Sequence, residues 1–285
     1  MRTHVAATTW CDRNTGQPLS GASRFETRIE SIRTSALTLS HCLVPWDAQI
    51  LGVPVAQITA VRVLEPVQAE RDYARFVDWC KHERIALCTC RLPADRLVDS
   101  MFLEERGFRF VELNYQPQLK ALQGMQFVDE GIVVALAEES DREPLAAMAA
   151  EVFHHGRLHQ DPRIGQVLGD RRYRAWMHNA FSNPAQRVSK CLQEGKIVGF
   201  FVVESPEPGQ YFWSLVGLAP GLQGTGLGKR VWRAMLHAHR TAGAHTVSTS
   251  ISSHNIPAFN LYVALGFRFP QPSVTLQWCP TGTLV

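Results

Sequence analysis

The stretch Leu215–Lys229, LVGLAPGLQGTGLGK, constrains this chain more than any other. An apolar strand runs into the glycine-rich turn Gln223-Gly224-Thr225-Gly226-Leu227-Gly228-Lys229, and the turn runs straight into a helix reaching about Ala242. That helix carries Leu227, Val231, Ala234, Met235 and Ala238 at helical spacing, so one face is apolar. The first turn of a helix has unsatisfied N–H groups and a partial positive charge. Glycines admit positive φ and let a bulky anion approach the backbone. Together these features predict a cradle for a pyrophosphate. Two common phosphate loops do not fit. A dinucleotide fingerprint fails because Lys229 stands at its third glycine position. A Walker-type loop fails because Gln223 replaces its first glycine and Arg230 its final Ser or Thr. What fits is Gln-x-x-Gly-x-Gly, through Gln223, Gly226 and Gly228.

The flanking pattern is mixed. In the C-terminal half, strands are expected at Gly131–Ala137, Val188–Gln193, Lys196–Glu204, Tyr211–Ala219 and Thr246–Ile251. Helices are expected from an Asp141 N-cap to Phe153, over Asp170–Phe181 and over Pro257–Leu265. Phe267 and Val274–Trp278 are expected to finish that sheet. The N-terminal half shows no period over Met1–Ser23, extended structure from about Phe25, and strands over Gln49–Arg62 turning at Gly52-Val53-Pro54. A helix over Glu70–His82 follows, with Tyr73, Phe76, Val77 and Cys80 on one stripe, then a strand over Ile85–Cys90. Pro93 is expected to open a helix to Arg106, and Phe108–Leu119 to form a strand. A boundary near Ala121–Asp129 divides the chain into 1–125 and 126–285. Strand, helix, then Gly107-Phe108-Arg109-Phe110 echoes strand, helix, then Gly266-Phe267-Arg268-Phe269, a faint internal repeat.

Downstream of the glycine turn, Asn255, Ala258, Leu261, Tyr262, Gly266 and Phe267 form Asn-x-x-Ala-x-x-Leu-Tyr-x-x-x-Gly-Phe. With Gln223–Gly228 and Pro220 before it, this pair of motifs resembles the GNAT superfamily of acetyl-CoA-dependent N-acetyltransferases. The resemblance implies an α/β (α+β) fold, with a mixed, mostly antiparallel sheet flanked by helices. It implies that Gln223, Gly224, Thr225, Gly226, Leu227, Gly228 and Lys229 hold acetyl-CoA. The backbone of Val216, Gly217 and Leu218 is implied as the donor side of the thioester site, and Asn255 as a further CoA contact. Tyr262 is implied as the acid that protonates the leaving thiolate. Residue chemistry agrees that such a role is feasible, since a phenol at about 10 lies not far above a thiol at about 8.5. Gly217 in a strand also reads as a bulge, a close ligand approach or a packing accommodation. Asn255 equally reads as the N-cap of the helix at Pro257. For a general base the candidates are His254, Glu204 and the loop group His154, His155 and His159, or none at all.

Other chemistry is not indicated. Cys88 and Cys90 lack Cys-x-x-Cys spacing and share one strand face, which suits packing. His237 and His239 sit two apart on a helix and face different ways. No metal is expected. The net charge of +3 and the absence of a long basic run argue against nucleic acid as partner. No stretch approaches the roughly 18 apolar residues of a membrane span. The seven scattered cysteines, Cys11 among them, read as free thiols of a cytoplasmic protein.

The front half lacks the glycine loop. Trp46-Asp47, Leu51-Gly52, Gly107–Glu112 and Arg157–Arg163, with Tyr173 and Trp176, resemble sugar-nucleotide N-acetyltransferases of the TDP-fucosamine kind. That resemblance implies a degenerate acetyltransferase-like N-terminal domain shaping the acceptor site, with Arg157 or Arg163 near a nucleotide-linked amino sugar. The expected partner is therefore a small-molecule amine. Two other readings stand beside it: acetylation of a protein N-terminus or lysine, and a non-catalytic acyl-CoA sensor. The oligomeric state is not legible.

Overall fold

The computed structural model describes residues 28–128, 130–280, 282 and 284. The readings at Met1–Ser23, Phe25 and Cys11 lie outside them. In chain order the elements are β1 (Glu30–Arg33), β2 (Leu37–Leu43), α1 (Pro45–Leu51), β3 (Val55–Val63), α2 (Pro66–His82), β4 (Leu87–Pro93), α3 (Leu97–Glu104) and β5 (Arg109–Tyr115). There follow β6 (Gln118–Lys120), β7 (Val133–Leu136), α4 (Arg142–Val152), α5 (Arg157–Gln160), α6 (Gln166–Ser182), β8 (Gln186–Gln193), β9 (Lys196–Glu204) and β10 (Gln210–Leu218). The chain ends through α7 (Leu227–Thr241), β11 (Thr246–Thr249), β12 (Ile251–Ser252), α8 (Ile256–Ala264) and β13 (Ser273–Trp278).

Two compact units arise. Unit 1 comprises Met1–Leu113, Arg157–Leu168 and Gln271–Val285. Unit 2 comprises Asn114–Gly156 and Gly169–Pro270. The division therefore falls at Leu113/Asn114 rather than at 125/126, and the first and last described residues belong to unit 1. The reason is strand pairing: β13 does not finish the second half's sheet but pairs antiparallel with β4 through six residue pairs, Ser273↔Pro93 to Trp278↔Cys88.

In unit 1 the strand order is β1-β2-β3-β4-β13-β5. α2 opens with Pro66 and buries Ala69, Tyr73, Phe76 and Cys80, spaced four, three and four apart, against that sheet. Cys88 and Cys90 do share one buried face in this core. All six described cysteines are buried. The expected strand over Gln49–Arg62 begins late. Pro45 starts a helix instead, and Gly52, at φ 71°, ends it before β3. Pro93 does not open a helix; it ends β4, where Ser273 stands opposite it, and α3 starts only at Leu97.

In unit 2 the order is β6-β11-β10-β9-β8-β7. β7 to β10 form an antiparallel meander, and β11 joins it parallel to β10. Glu194 and Gly195 both have positive φ, 50° and 77°, as a tight hairpin between β8 and β9 requires. The expected strand Phe108–Leu119 is interrupted at Gln116-Pro117, giving β5 and β6.

The internal repeat has a physical counterpart. After α3, Gly107 has φ 86°, its N–H bonds to the Glu104 carbonyl, and the Phe108 N–H bonds to the Leu103 carbonyl at 3.1 Å. After α8, Gly266 has φ 84°, its N–H bonds to Val263, and the Phe267 N–H bonds to Tyr262 at 3.0 Å. Both helices thus end in the same left-handed glycine cap, with the following Phe buried.

Candidate active site

The site is built where β10 and β11 part company. Their parallel pairing covers only Gln210↔Thr246 to Trp213↔Thr249. Beyond Trp213, β10 continues to Leu218, while the other chain turns away at Ser250. The departing chain is held elsewhere. β12 pairs Ile251↔Tyr115 and Ser252↔Asn114. The buried Asn114 side chain accepts from the Ser250 hydroxyl at 2.9 Å and donates to the Ile251 carbonyl at 3.3 Å. A wedge therefore opens along one edge of β10.

Backbone groups of a strand alternate sides. Ala219 donates to the Val198 carbonyl at 2.9 Å, on the β9 side. The amides of Val216 and Leu218 consequently face the wedge, and the amide of Gly217 faces β9. Gly217 is not a bulge. A Cβ there would lie 3.0 Å from Val152 Cγ2 and 3.1 Å from Phe200 Cζ, so glycine suits the tight packing against Phe200. The bulge in β10 falls instead at Ser214, between the pairs Trp213↔Val203 and Leu215↔Val202. No residue-level signal in the sequence marks it.

The loop from Ala219 to Gly226 leads from β10 into α7. Gly221, Gly224 and Gly226 have φ of 76°, 78° and 83°, and a Cβ on any of them would meet open space. Conformation, not crowding, requires these glycines. Gln223, Gly224, Thr225 and Gly226 are exposed. Among the described residues, their amides make no hydrogen bond to the rest of the chain. Gly226 caps α7 without a side chain of its own; the Leu227 amide donates to the Thr225 hydroxyl at 3.4 Å, and the Gly228 amide is left without a backbone partner as a first-turn amide is. The Thr225 hydroxyl donates to the Leu222 carbonyl at 2.8 Å and so braces the turn. Leu227 is buried, whereas Lys229 is exposed. Gly228 has a different reason to be glycine: its Cβ would stand 3.3 Å from Leu218 Cδ1 and 3.6 Å from Leu261 Cδ2, so it lets α7 seat against strand and helix.

Tyr262 projects from α8 into the unit 2 core and is 1% exposed. Its hydroxyl makes no hydrogen bond of ordinary geometry. Burial pushes its pKa up to about 12, against the opposing pull of the nearby Trp232 indole and Thr249 hydroxyl. Thr249, which the sequence reading passed over, is the last residue of β11 before the wedge, and its hydroxyl donates to the Trp213 carbonyl at 2.8 Å. Asn255 is the N-cap of α8, its side chain accepting from the Ala258 amide at 3.1 Å.

The base candidates differ in setting. Glu204 ends β9 opposite Phe212, at the end of β10 remote from Leu218, and accepts from Gln186 at 2.6 Å. His254 is exposed just before α8. His154 and His155 belong to unit 2 and His159 to α5 of unit 1. Arg157 and Arg163 are not open cations. Arg157 is buried in an ion pair with Asp47 at 2.5 Å, and Arg163 grips Asp161 through two nitrogens and donates to the Gln277 carbonyl at 3.0 Å. His239 faces inward and His237 stacks on Phe127, so the two histidines do point apart. Among the described residues no helix is long and apolar enough to cross a membrane.

A parallel pair that splays, a bare glycine loop at a helix N-terminus and a buried phenol thus lie within one stretch of unit 2. Residues 129–267 match the model of the acetyltransferase (GNAT) family. This region is a GNAT acetyltransferase domain. GNAT enzymes are acyltransferases, and one of the two relatives described next carries that activity in its name. SpsD of Bacillus subtilis, a spore coat polysaccharide biosynthesis protein, is 19% identical over 229 residues, which is 79% of this chain and 78% of its own. The L-2,4-diaminobutyric acid acetyltransferase of Halomonas elongata is 31% identical over 94 residues, 32% of this chain and 49% of its own. The chain thus matches about half of that relative. Among solved structures, a tandem GNAT protein from the clavulanic acid biosynthesis pathway (without AcCoA) shares the fold, with a TM-score of 0.57 at 14% identity, over 88% of this chain and 82% of its own.

Proposed function

We propose that the chain moves an acetyl group from acetyl-CoA to a primary amine of a small molecule, by direct attack within a ternary complex. The observation that carries this reading is the wedge at β10. It combines two inward-facing amides, Val216 and Leu218, with an open amide loop at Gln223–Gly226. The loop suits the CoA pyrophosphate because the amides of Gln223 to Gly226 are unspent and the α7 N-terminus adds favourable potential. The β10 amides suit a carbonyl that gains negative charge, since preorganised donors in a dry cleft act where charge develops. Tyr262 keeps its proton through the neutral range, because its pKa is raised, and so can hand it to a departing thiolate. Its unpartnered hydroxyl is the kind of buried polar atom that a ligand would satisfy. Acetyl-CoA supplies the activated acyl group when bound.

For the acceptor, the leading class is an amine-bearing sugar, free or nucleotide-linked. The named pathway of the relative SpsD supports this, and diaminobutyrate marks the alternative of an amino acid amine. Unit 1, in this reading, is a second copy of the skeleton that lacks the donor loop. The test is free-thiol release from acetyl-CoA with a panel of amino sugars, nucleotide-linked amino sugars and diamino acids, with product mass measured. An acetamide on a sugar amine supports the reading. Turnover only with protein amines, by intact mass, replaces it with the protein-modifying alternative. No thiol release with any amine, despite acetyl-CoA binding, replaces it with the sensor.

A further inference from the structure

The unit 2 sheet ends at β7, which pairs with β8 on one side and, among the described residues, with no strand on the other. The run Ile132-Val133-Val134-Ala135-Leu136-Ala137 holds no charge, no proline and no glycine. Ala137 donates to the Val188 carbonyl of β8 at 2.9 Å. Backbone groups alternate sides along an antiparallel strand, so Val133, Ala135 and Ala137 face β8. Ile132, Val134 and Leu136 therefore turn their N–H and C=O groups outward. Among the described residues those groups have no backbone partner. Val133 and Leu136 point to opposite faces of the sheet and are 62% and 65% exposed.

An open apolar edge is a template for another strand, and folded proteins guard such edges with charge, proline or very short strands. Other edges of this molecule carry those guards. β6, at the far end of the same sheet, is three residues long and ends in the exposed Lys120. β1, at the edge of the unit 1 sheet, has exposed Glu30 and Arg33 among its four residues. β7 has neither charge nor proline, and its apolar side chains reach solvent on both faces.

We infer that β7 pairs antiparallel with β7 of a second copy of this chain, joining two unit 2 sheets across a twofold axis at Val134. The register that uses all three outward residues puts Val134 opposite its own copy and Ile132 opposite Leu136, so each outward N–H meets a carbonyl. These cross-strand neighbours are all aliphatic and suit each other. The nearest charges do not oppose the pairing. Glu130 would stand opposite Glu138, and both carboxylates are already held. Arg233 lies 2.9 Å from the Glu130 carboxylate, and the Glu138 carboxylate accepts from the Asp141 amide in a capping box. A foreign strand would cover this edge but bring an open edge of its own, whereas twofold pairing closes both copies at once. The inference concerns unit 2 alone and is independent of the acetyl acceptor.

The test is sedimentation velocity on the full chain over a concentration series, which should show a reversible dimer. Val134→Pro removes the outward N–H and leaves the β8 ladder intact, since proline is tolerated where an edge N–H faces away from the sheet. It should weaken the dimer about 30-fold, the equivalent of the two hydrogen bonds lost across the axis. Leu136→Lys places a charge on an already exposed side chain and should also shift the chain toward monomer. Acetyl-CoA affinity of Leu136→Lys should match the parent, as a check that unit 2 is folded. Amide exchange read by NMR locates the contact. Val134 and Leu136 should exchange about tenfold more slowly in the dimer than in the dilute monomer, while Ala135 and Ala137, already turned to β8, should not change. A parent chain that stays monomeric at every concentration overturns the proposal. So does a dimer that keeps parental affinity in Leu136→Lys, or one that leaves the exchange of Val134 and Leu136 unaltered.

Discussion

The β3–α2 corner of unit 1 and the β10–α7 corner of unit 2 are the same construction with opposite outcomes. Each strand runs antiparallel to its predecessor and pairs parallel with its successor over only four residue pairs, Val55↔Leu87 to Ile58↔Cys90 and Gln210↔Thr246 to Trp213↔Thr249. Each ends with a residue whose N–H returns to the preceding strand's side, Leu64 to the Ala36 carbonyl and Ala219 to the Val198 carbonyl. Each therefore aims the amide before it, Val63 or Leu218, into the parting. In unit 1 the buried Asp99 carboxylate takes the Val63 amide at 2.7 Å, and Arg96 pairs with Asp99 at 2.6 Å. The turn to α2 is only Leu64-Glu65, and Pro66 removes an N–H from the helix start. Counted back from the glycine cap, Leu103 stands where unit 2 has Tyr262, and Asp99 where unit 2 has Ala258. The same skeleton is closed by a side chain in one unit and left open by a methyl in the other. A fold can carry the donor wedge and still not offer it.

The largest expected effect tests the phenol that unit 1 replaces with Leu103. Tyr262→Phe should lower kcat about 10²- to 10⁴-fold while acetyl-CoA affinity stays within a few-fold. Stability should hold or rise slightly, because the lost hydroxyl was unpartnered. Single-turnover rates with calorimetric binding check both halves. An unchanged rate across pH removes Tyr262 from the chemistry.

A second change tries to convert unit 2 into unit 1. Ala258→Asp places a carboxylate at the Asp99 position, three residues into α8, within reach of the wedge edge of β10. A carboxylate that bonds the Leu218 amide also repels the CoA phosphates. Acetyl-CoA affinity should fall about 100-fold, read by calorimetry. Full affinity in the variant breaks the equivalence of the two corners.

Much of this contrast was legible in the chain itself, and the reason is local. Positive φ favours glycine, so Gly224, Gly226, Gly107 and Gly266 announce their turns. The Asn255 cap and the α7 stripe follow from helix geometry. What was not legible depends on partners distant in sequence. β13 belongs to unit 1 because it pairs with β4, a choice no period in Ser273–Trp278 records. The Ser214 bulge and the parting at Trp213 depend on β9 and on Asn114. The apolar run at Gln49–Leu51 suits helix and strand alike, and Pro45 decides it. Nothing local in the sequence marks Asp99, because its role depends on the Val63 amide 36 residues away.

The units also differ in how acid should reach them. In unit 2 the buried His239 accepts from the Trp213 indole at 2.9 Å and stacks on Tyr211. Burial lowers its pKa to about 4 from 6.5. An unfolded chain binds this proton below 6.5, whereas the folded chain refuses it until about pH 4. The stabilisation from a neutral His239 is therefore complete above pH 6.5 and is lost as pH falls toward 4. Between pH 6.5 and 5 the loss should be about 2 kcal/mol. Amide exchange in β10 and α7 measures it, and His239→Gln should flatten the slope. An equal slope in the variant assigns the acid sensitivity elsewhere.

The smallest effect comes from loosening the plug of unit 1. Asp99→Asn keeps an oxygen for the Val63 amide and loses only the charge and the half-exposed pairing with Arg96. An ion pair with one partner partly in water contributes little, so stability should fall by about 1 kcal/mol in chemical unfolding. Acetyl-CoA stoichiometry should remain one per chain, before and after the change, because the two-residue turn and Pro66 offer no amide loop whatever fills the parting. If Asp99→Asn raised the stoichiometry to two, the side chain alone would have been closing a competent site. The missing loop would then not be what separates the units.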